Sequence, residues 1–375
     1  MKINIAIASR NFFGAERRVL KIAHALATKY CEAVEVLMII NSSLFLAAKR
    51  TEWGSTYLED LDSAGRLIVV PDRLGHLRYA RRLLSGAAAV MSSTPLHAVL
   101  RAEPIAYGRA ILGLPSSIEI TGPISAKSRS LHLPLFLLRR LSKIRLLTPS
   151  LARTFQAGLT ERFDTQIASE VIARTAVASS PYFVPSNSSD EFANKEKLIV
   201  SGSRFERRKN VVTVAKALAI ALPNLPEWKA RVMGQGEDEV EIRNILKHFI
   251  DEGRVAVGYE PRIEEILKKS QIYVSLIEPD NYPSQAVLEA MQFGNALILS
   301  DVGDSSKFIT DPPNGELVPI DAQEVAKKIV KLANEQPLAK KMGELSIKHV
   351  REAFDPTAHI EELLAIHGLT VRFRK

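Results

Sequence analysis

Short runs of consecutive apolar residues alternate with segments of helical periodicity along nearly the whole chain. This alternation constrains the fold more than any other feature. The runs INIAIAS (3–9), VEVLMII (34–40), RLIVV (66–70), AAAVM (87–91), SIEIT (117–121) and KIRLLT (143–148) occupy the first half. KLIVSGS (197–203), KARVMG (229–234), RVAVG (254–258), IYVSL (272–276) and NALILS (295–300) occupy the second. Helical patterns fall between them, at 15–30, 75–85, 131–142, 209–221, 236–250, 262–269, 284–293 and 322–334. A strand that is apolar on both sides needs both faces covered, and crossover helices between parallel strands cover them. The fold class is therefore α/β with parallel sheets. A chain of 375 residues exceeds what one hydrophobic core supports. The stretch SSPYFVPSNSSDEFANKEK (179–197), rich in Ser, Pro and Asn and without apolar period, reads as a linker. Two α/β domains of similar size facing across a cleft are expected.

Apolar residues make up 46% and charged residues 25%, which excludes a disordered chain. Cys31 is the single cysteine, so no internal disulfide forms; its apolar flanks suggest core packing in a reducing compartment. MKINIAIASR is too soon interrupted for a signal peptide, and no stretch approaches the ~20 apolar residues of a spanning helix. A cytoplasmic protein is expected. Charge is uneven: residues 1–190 hold 24 Lys and Arg against 14 Asp and Glu, while residues 191–375 hold 26 against 28. The basic excess of the first half suggests an anionic partner for it. RLGHLRYARRLL (73–84) and AKSRSLHLPLFLLRRLSKIRLL (126–147) combine Leu, Phe and Arg at partly helical spacing. Such segments either lie on an anionic membrane surface or face a core with arginines outward. Little aromatic interleaving and no reading motif argue against nucleic acid.

In open α/β sheets ligands sit beyond the carboxyl ends of the strands. The first strand leads into SRNFFGAERRVL (9–20), where Gly14 either admits a ligand close to the backbone or is an ordinary glycine between strand and helix. SGSRFERRKNVV (201–212) places Arg204, Arg207, Arg208 and Lys209 at a helix start. Cations are disfavoured there by the helix dipole, so the cluster is either a solvated turn or a seat for an anion such as a diphosphate. RVMGQGEDEVE (231–241) gives Gly234-x-Gly236 before an acidic first turn, which suits a helix start by itself. In NYPSQAVLEAMQFGNALILSD (281–301), Pro283 and Ser284 open a helix whose apolar face carries Ala286, Val287, Ala290 and Met291. Gln285 and Glu289 share another face, with Glu289 about 12 Å of helix from Asn281. Asp60 and Asp62 form a D-x-D pair, but in a solvated helical stretch rather than after a strand.

In order, these motifs resemble the retaining family 4 (group 1) glycosyltransferases of GT-B fold. GSRF…RKN is similar to their G-R-L-x-x-x-K-G, VMGQGED to strand–G-x-G-x-E, and RVAVGYEP to the strand at the base pocket. LEAMQFGNALILSDVG resembles E-A-M-A-x-G-x-P-V-I followed by D-V-G, DPPNGELVP the N-G-x-L-V-P hairpin, and GAERR the G-G-A-E-R helix start. The resemblance implies two Rossmann-like domains: an acceptor-side domain over 1–180, a linker over 181–197, and a nucleotide-sugar donor domain over 198–355. A last helix with basic tail, 356–375, would pack back on the first domain. It further implies transfer of a sugar from a nucleotide-diphosphate sugar to a glycan or lipid-linked acceptor in envelope polysaccharide, lipopolysaccharide or glycolipid synthesis. No cofactor and no metal are implied. Arg204 and Lys209 would stabilise the leaving diphosphate, with Gly14 closing against it. Glu289 would hold the ribose, Gly258 and Tyr259 the base, and Asn281, Tyr282, Pro283, Ser284 and Gln285 the sugar. Two positions depart from the family: Asn281 stands where a glutamate is usual, and Lys307 where many members carry an acid. In the first domain Glu119 is the candidate catalytic carboxylate, or else a structural one, whereas His132 reads as surface or packing. A nucleotide-sugar binding protein that has lost transfer, or an epimerase of the same fold, is the alternative.

Overall fold

The computed structural model describes residues 1–10, 12, 14–70, 94–100, 102–120, 135–177, 181–183, 195–260 and 262–369. The chain divides into two compact units, Met1–Pro181 with Pro356–Lys375, and Tyr182–Asp355. His132, the segment 73–84, the first part of 126–147 and the run AAAVM (87–91) lie outside the described residues.

Among the described residues the first unit holds seven strands: β1 (Lys2–Ala8), β2 (Glu35–Asn41), β3 (Leu67–Val70), β4 (Leu96–Leu100), β5 (Ser116–Ile120), β6 (Lys143–Leu146) and β7 (Thr175–Val177). Their order is β3-β2-β1-β4-β5-β6-β7, every neighbouring pair being parallel. Ile3, Ile5, Ala6 and Ile7 of β1 are all buried, as its unbroken apolar run requires. The strand beside β1 is LHAVL, which His97 hides from any search for apolar runs. Helices α1 (Gly14–Thr28), α2 (Ser42–Lys49), α3 (Glu52–Ser63), α4 (Glu103–Ile111), α5 (Leu135–Leu138), α6 (Pro149–Arg162) and α7 (Thr165–Ile172) connect these strands. Helix α6 starts cleanly: Thr148 accepts the Leu151 N–H at 2.9 Å and Pro149 occupies the first turn. Cys31 is exposed just after α1, its thiol donating to the Thr28 carbonyl. The expected core role is corrected, because the chain turns outward there before β2. Asp60 and Asp62 are exposed on α3, and Asp60 pairs with His24 at 2.8 Å.

The second unit holds β8 (Leu198–Gly202), β9 (Lys229–Met233), β10 (Val255–Gly258), β11 (Ile272–Ser275), β12 (Ala296–Ser300) and β13 (Gly315–Val318), in the order β10-β9-β8-β11-β12-β13 and again parallel throughout. The NGELVP stretch was expected as a hairpin; it is instead the parallel edge strand β13, paired with β12 from Leu297↔Gly315 to Ser300↔Val318. Gly315 lies so close to β12 that a Cβ there would fall 2.6 Å from the Leu297 Cβ. Helices α8 (Val211–Ala221), α9 (Glu239–Asp251), α10 (Ile263–Lys269), α11 (Gln285–Gln292), α12 (Ala322–Asn334) and α13 (Gln336–Ala353) belong to this unit, while α14 (Pro356–Ala365) belongs to the first. Tyr182 is already part of the second unit, buried against Phe354 and donating its N–H to the Phe354 carbonyl at 2.9 Å. In both sheets the order reverses beside the first strand, at β1/β4 and at β8/β11. Such a reversal leaves the loops on the two strands diverging, and ligands of open sheets bind there.

Candidate functional site

The loops after β8 and β11 leave the reversal point of the second sheet side by side. After β8 the chain runs Ser203-Arg204-Phe205-Glu206 into a single 3-10 turn, Arg207–Lys209, and then into α8. Asn210 joins them in the left-handed conformation, φ 49°, which asparagine tolerates better than most residues. Two bonds tie this turn to the loop after β11: Asn210 Nδ2 donates to the Leu276 carbonyl at 2.9 Å, and the Glu278 N–H to the Arg208 carbonyl at 3.0 Å. Phe205, fully buried, anchors the turn from below and receives the Asp238 N–H on its carbonyl. The Gly234-x-Gly236 pair explains itself here. Both glycines have φ near +155°, and a Cβ on either would overlap the Ser203 or Phe205 backbone. The pair lets the loop after β9 pass directly beneath the basic turn.

Within the turn, Glu206 sits between two arginines. Its carboxylate accepts from Arg204 Nη1 at 3.1 Å and from Arg208 Nε at 2.7 Å. Arg204 and Arg208 remain about half exposed. Lys209 is more enclosed, and burial, then the neighbouring Arg208 charge, pushes its ammonium down to about 8. An enclosed cation among cations is unfavourable unless an anion joins it.

The loop after β11 carries Asn281, Tyr282, Pro283 and Ser284 into α11. Asn281 is 3% exposed. Its Nδ2 donates to the Ser275 hydroxyl at 3.2 Å and reaches the Ser275 carbonyl at 3.4 Å. Since a carbonyl can only accept, this contact fixes the amide orientation and leaves Oδ1 as a buried acceptor with no partner among the described residues. Tyr282 packs on Phe308 and Phe354, ring centroids 5.0 and 6.0 Å away, with the Lys307 ammonium 5.6 Å above its ring. Burial, then Asp304 and Asp280, raises the Tyr282 phenol to about 12. Ser284 takes the N-cap position of α11 but makes no side-chain cap bond. Gln285 is half-buried in the first turn. Glu289 is buried one turn further on, where its charge adds to burial in raising the phenol of Tyr273. Tyr273 in turn donates to the Gly202 carbonyl at 3.0 Å, linking β11 to the end of β8. Nothing in the sequence singled out Tyr273 or Ser275; both lie within an apolar strand, and only the third dimension puts them against Glu289 and Asn281.

At the far side of the same sheet edge, Gly258 (φ 147°) accepts the Gly234 N–H at 2.9 Å, and Tyr259 is 68% exposed beside it. Arg243 of α9 holds the Val257 carbonyl at 2.7 Å and Glu239 at 2.8 Å. Arg204, Lys209, Gly258, Tyr259, Asn281 to Gln285 and Glu289 therefore all lie on one unit. Apart from Glu289, a turn into α11, they follow the carboxyl ends of its strands.

Gly14 and Glu119 belong to the first unit. Gly14 opens α1. Glu119 is 2% exposed on β5 and lies in an ion-pair network: Arg18 of α1, Arg145 Nη1 of β6 at 3.4 Å, and His97 Nε2 of β4 at 3.6 Å. Register explains the grouping, since Glu119 stands opposite Arg145 and His97 opposite Ser117 on one face of the sheet. Burial alone would raise the Glu119 carboxyl, but Arg18, His97 and Arg145 outweigh it and hold it well below the usual range. The Ser117 hydroxyl bridges His97 Nδ1 at 2.7 Å and His367 Nε2 at 2.9 Å, and Glu362 of α14 lies 3.8 Å from Arg145. The network fastens the C-terminal segment to the sheet, and its carboxylate is fully engaged.

Residues 186–349 match the family described as glycosyl transferases group 1. The matched residues fall almost wholly within the second unit. An uncharacterized glycosyltransferase of Methanocaldococcus jannaschii is 28% identical over 178 residues, 46% of this chain and 45% of that protein. The GtfA subunit of the UDP-N-acetylglucosamine–peptide N-acetylglucosaminyltransferase of Streptococcus pneumoniae is 24% identical over 35% of this chain and 26% of its own length. The chain thus spans less than half of these curated relatives. Among solved structures, Anabaena HepE in complex with UDP and glucose superposes with a TM-score of 0.72 at 16% identity, over 97% of this chain and 98% of that one. A glycosyltransferase from Rickettsia africae gives 0.72 at 15% identity, over 98% and 97%. At these identities the likeness establishes the fold, which is the GT-B arrangement of two Rossmann-like units. The matched region carries its basic turn and the Asn281 loop where the first and fourth strands of its sheet diverge.

Proposed function

We propose that the protein is a retaining, metal-independent glycosyltransferase that uses a nucleotide-diphosphate sugar. The observation that carries this is the pairing of two loops at the strand reversal. One presents Arg204 and the partly desolvated Lys209; the other presents Asn281 Oδ1, without a hydrogen-bond partner among the described residues, just ahead of α11. In this reading Arg204 and Lys209 neutralise the charge that develops on the diphosphate as the anomeric C–O bond breaks. The first-turn N–H groups of α11 add their dipole to the same end. Glu289 accepts from ribose hydroxyls, Gly258 and Tyr259 border the base, and Asn281 receives a hydroxyl of the sugar on Oδ1. Lys209 has a further reason to be enclosed: a cation taken partly out of water acts on a nearby phosphate with less screening. Uracil is the base to test first, because HepE of the same fold is seen with UDP. The acceptor class, a glycan or lipid-linked sugar made for the cell envelope, rests on the family resemblance and on the basic first half; a peripheral position on the inner membrane face rests on that charge alone. No described helix is long and apolar enough to cross a membrane.

Thermal melting with UDP, GDP, ADP, dTDP and their sugars, on the wild type and on Arg204→Ala/Lys209→Ala, tests the donor site. A ligand that binds only the folded state raises the melting temperature. One diphosphate series should stabilise the wild type and not the double variant. No shift with any nucleotide would refute the donor site. Slow release of free sugar from the stabilising donor supports transfer; epimerised but intact nucleotide sugar, or tight binding with no turnover, supports the alternatives.

A further inference from the structure

Glu206 has no part in the proposed chemistry, yet it is the acidic side chain ion-paired within the basic turn. Each of its oxygens is taken by a different guanidinium, Arg204 Nη1 at 3.1 Å and Arg208 Nε at 2.7 Å. It is 26% exposed, more enclosed than either arginine. Its main chain shapes the turn as well, since the Lys209 N–H donates to the Glu206 carbonyl at 2.8 Å. We propose that Glu206 is a built-in counter-anion of the diphosphate site, which weakens the hold of Arg204 and its neighbours on a nucleoside diphosphate and so promotes product release. The proposal rests on the donor-site reading above.

The physical case is one of charge. Arg204, Arg207, Arg208 and Lys209 put four cations on six residues. A donor sugar diphosphate carries about two negative charges, whereas the product has a terminal phosphate with a second ionisation near 6 and carries about one more. A purely cationic turn would therefore hold the product more tightly than the substrate and stall turnover. A fixed carboxylate among those cations opposes the more negative ligand more strongly. It also occupies one N–H of Arg204 and one of Arg208.

The test is Glu206→Gln, which keeps shape and hydrogen-bonding capacity and removes the charge. UDP, GDP, ADP and neutral uridine are titrated by calorimetry into the full-length wild type and variant at pH 6.5, where Lys209 is charged in the wild type. The nucleoside diphosphate that the wild type binds should bind the variant about five- to tenfold more tightly, the size expected for one unit charge a few ångströms from a terminal phosphate dianion in a water-exposed setting. Uridine affinity should not change, and the gain should shrink at 0.5 M salt. Unchanged or weaker diphosphate binding by a variant that melts like wild type would overturn the proposal, making Glu206 merely a brace for the turn. Failure of every diphosphate to bind the wild type would instead refute the donor site, and the proposal with it.

Discussion

Replacing Glu119 by glutamine should destabilise the first unit severely without touching nucleotide binding. The side chains of Glu119, Arg18 and Arg145 are each 2% exposed, and both arginines use the same carboxylate. Among the described residues Arg18 Nη1 and Arg145 Nη2 already make no hydrogen bond, and Arg145 Nη2 has only Glu362 at 3.8 Å. Glutamine preserves the volume and one acceptor oxygen but removes the carboxylate that Arg18 and Arg145 share, while the half-exposed Glu362 still lies 3.8 Å from Arg145. Removing one partner of a buried ion pair costs about 3–5 kcal/mol. For a unit of this size each kcal/mol lowers Tm by about 2–4 °C, so a fall of about 6–20 °C is expected. Scanning calorimetry of the full chain measures it, with diphosphate binding below the transition as the second readout. A Glu119→Gln protein that melts within about 2 °C of wild type would refute the structural account of the network. Normal melting with lost turnover would return Glu119 to the role of catalytic carboxylate.

Three further outcomes follow from the geometry. Because burial lowers Lys209 to about 8, diphosphate binding should require proton uptake above that pH and weaken by up to about tenfold per unit; a pH titration of affinity that is flat between 7.5 and 9.5 would exclude it. Gly236→Ala should displace the basic turn, since its Cβ would fall 2.8 Å from the Phe205 carbonyl carbon at φ 154°, and diphosphate binding should fall at least tenfold while α9 and β9 remain folded by circular dichroism. Burial lowers His97, and it lowers His367 to about 3, so the unfolded chain binds protons that the native one refuses as pH drops below about 6.5. Stability should decline from there towards pH 3, and His367→Gln should flatten part of that decline in urea titrations.

Much of the architecture was legible because both sheets are made of strands buried on two faces, and such strands show as unbroken apolar runs. The strands that escaped are the informative ones. LHAVL is interrupted by His97, whose partners Ser117 and Glu119 come from the next strand; GELV is an edge strand, two of its four residues being Gly315 and Glu316. The site was partly legible for a similar reason. The spacing of Arg204 and Lys209, and of Asn281 and Glu289, survives in the linear order. Their supports do not: Ser275, which orients Asn281, and Tyr273, which reaches Gly202, are ordinary members of an apolar strand until the sheet is assembled. Glu119 drew attention as a carboxylate near a strand end, while the arginine that decides its state lies 101 residues away in the sequence.

The placement of four cations ahead of α8 is the clearest conflict in the chain between local and tertiary logic. The first turn of a helix is already positive, so a cluster of arginines and lysine there costs stability through the dipole and through mutual repulsion. Three features keep the cluster in place regardless. Phe205 is locked in the core, the two glycines let the β9 loop brace the turn, and Asn210 and Arg208 are hydrogen-bonded to the β11 loop. Glu206 relieves part of the repulsion by pairing with Arg204 and Arg208, and its charge only partly offsets the burial and Arg208 charge that hold Lys209 at a depressed value. Unfavourable charge held rigidly by surrounding structure is the condition for electrostatic preorganisation: in the proposed reading, the reorganisation that water would need to stabilise a departing diphosphate is completed during folding. The stability lost at this turn should therefore be recoverable. Arg204→Ser should leave the free protein as stable as wild type or more so, while abolishing the stabilisation that a diphosphate confers. If that substitution instead lowers the melting point of the ligand-free chain by several degrees, Arg204 is holding the fold, and the turn is not a poised anion site.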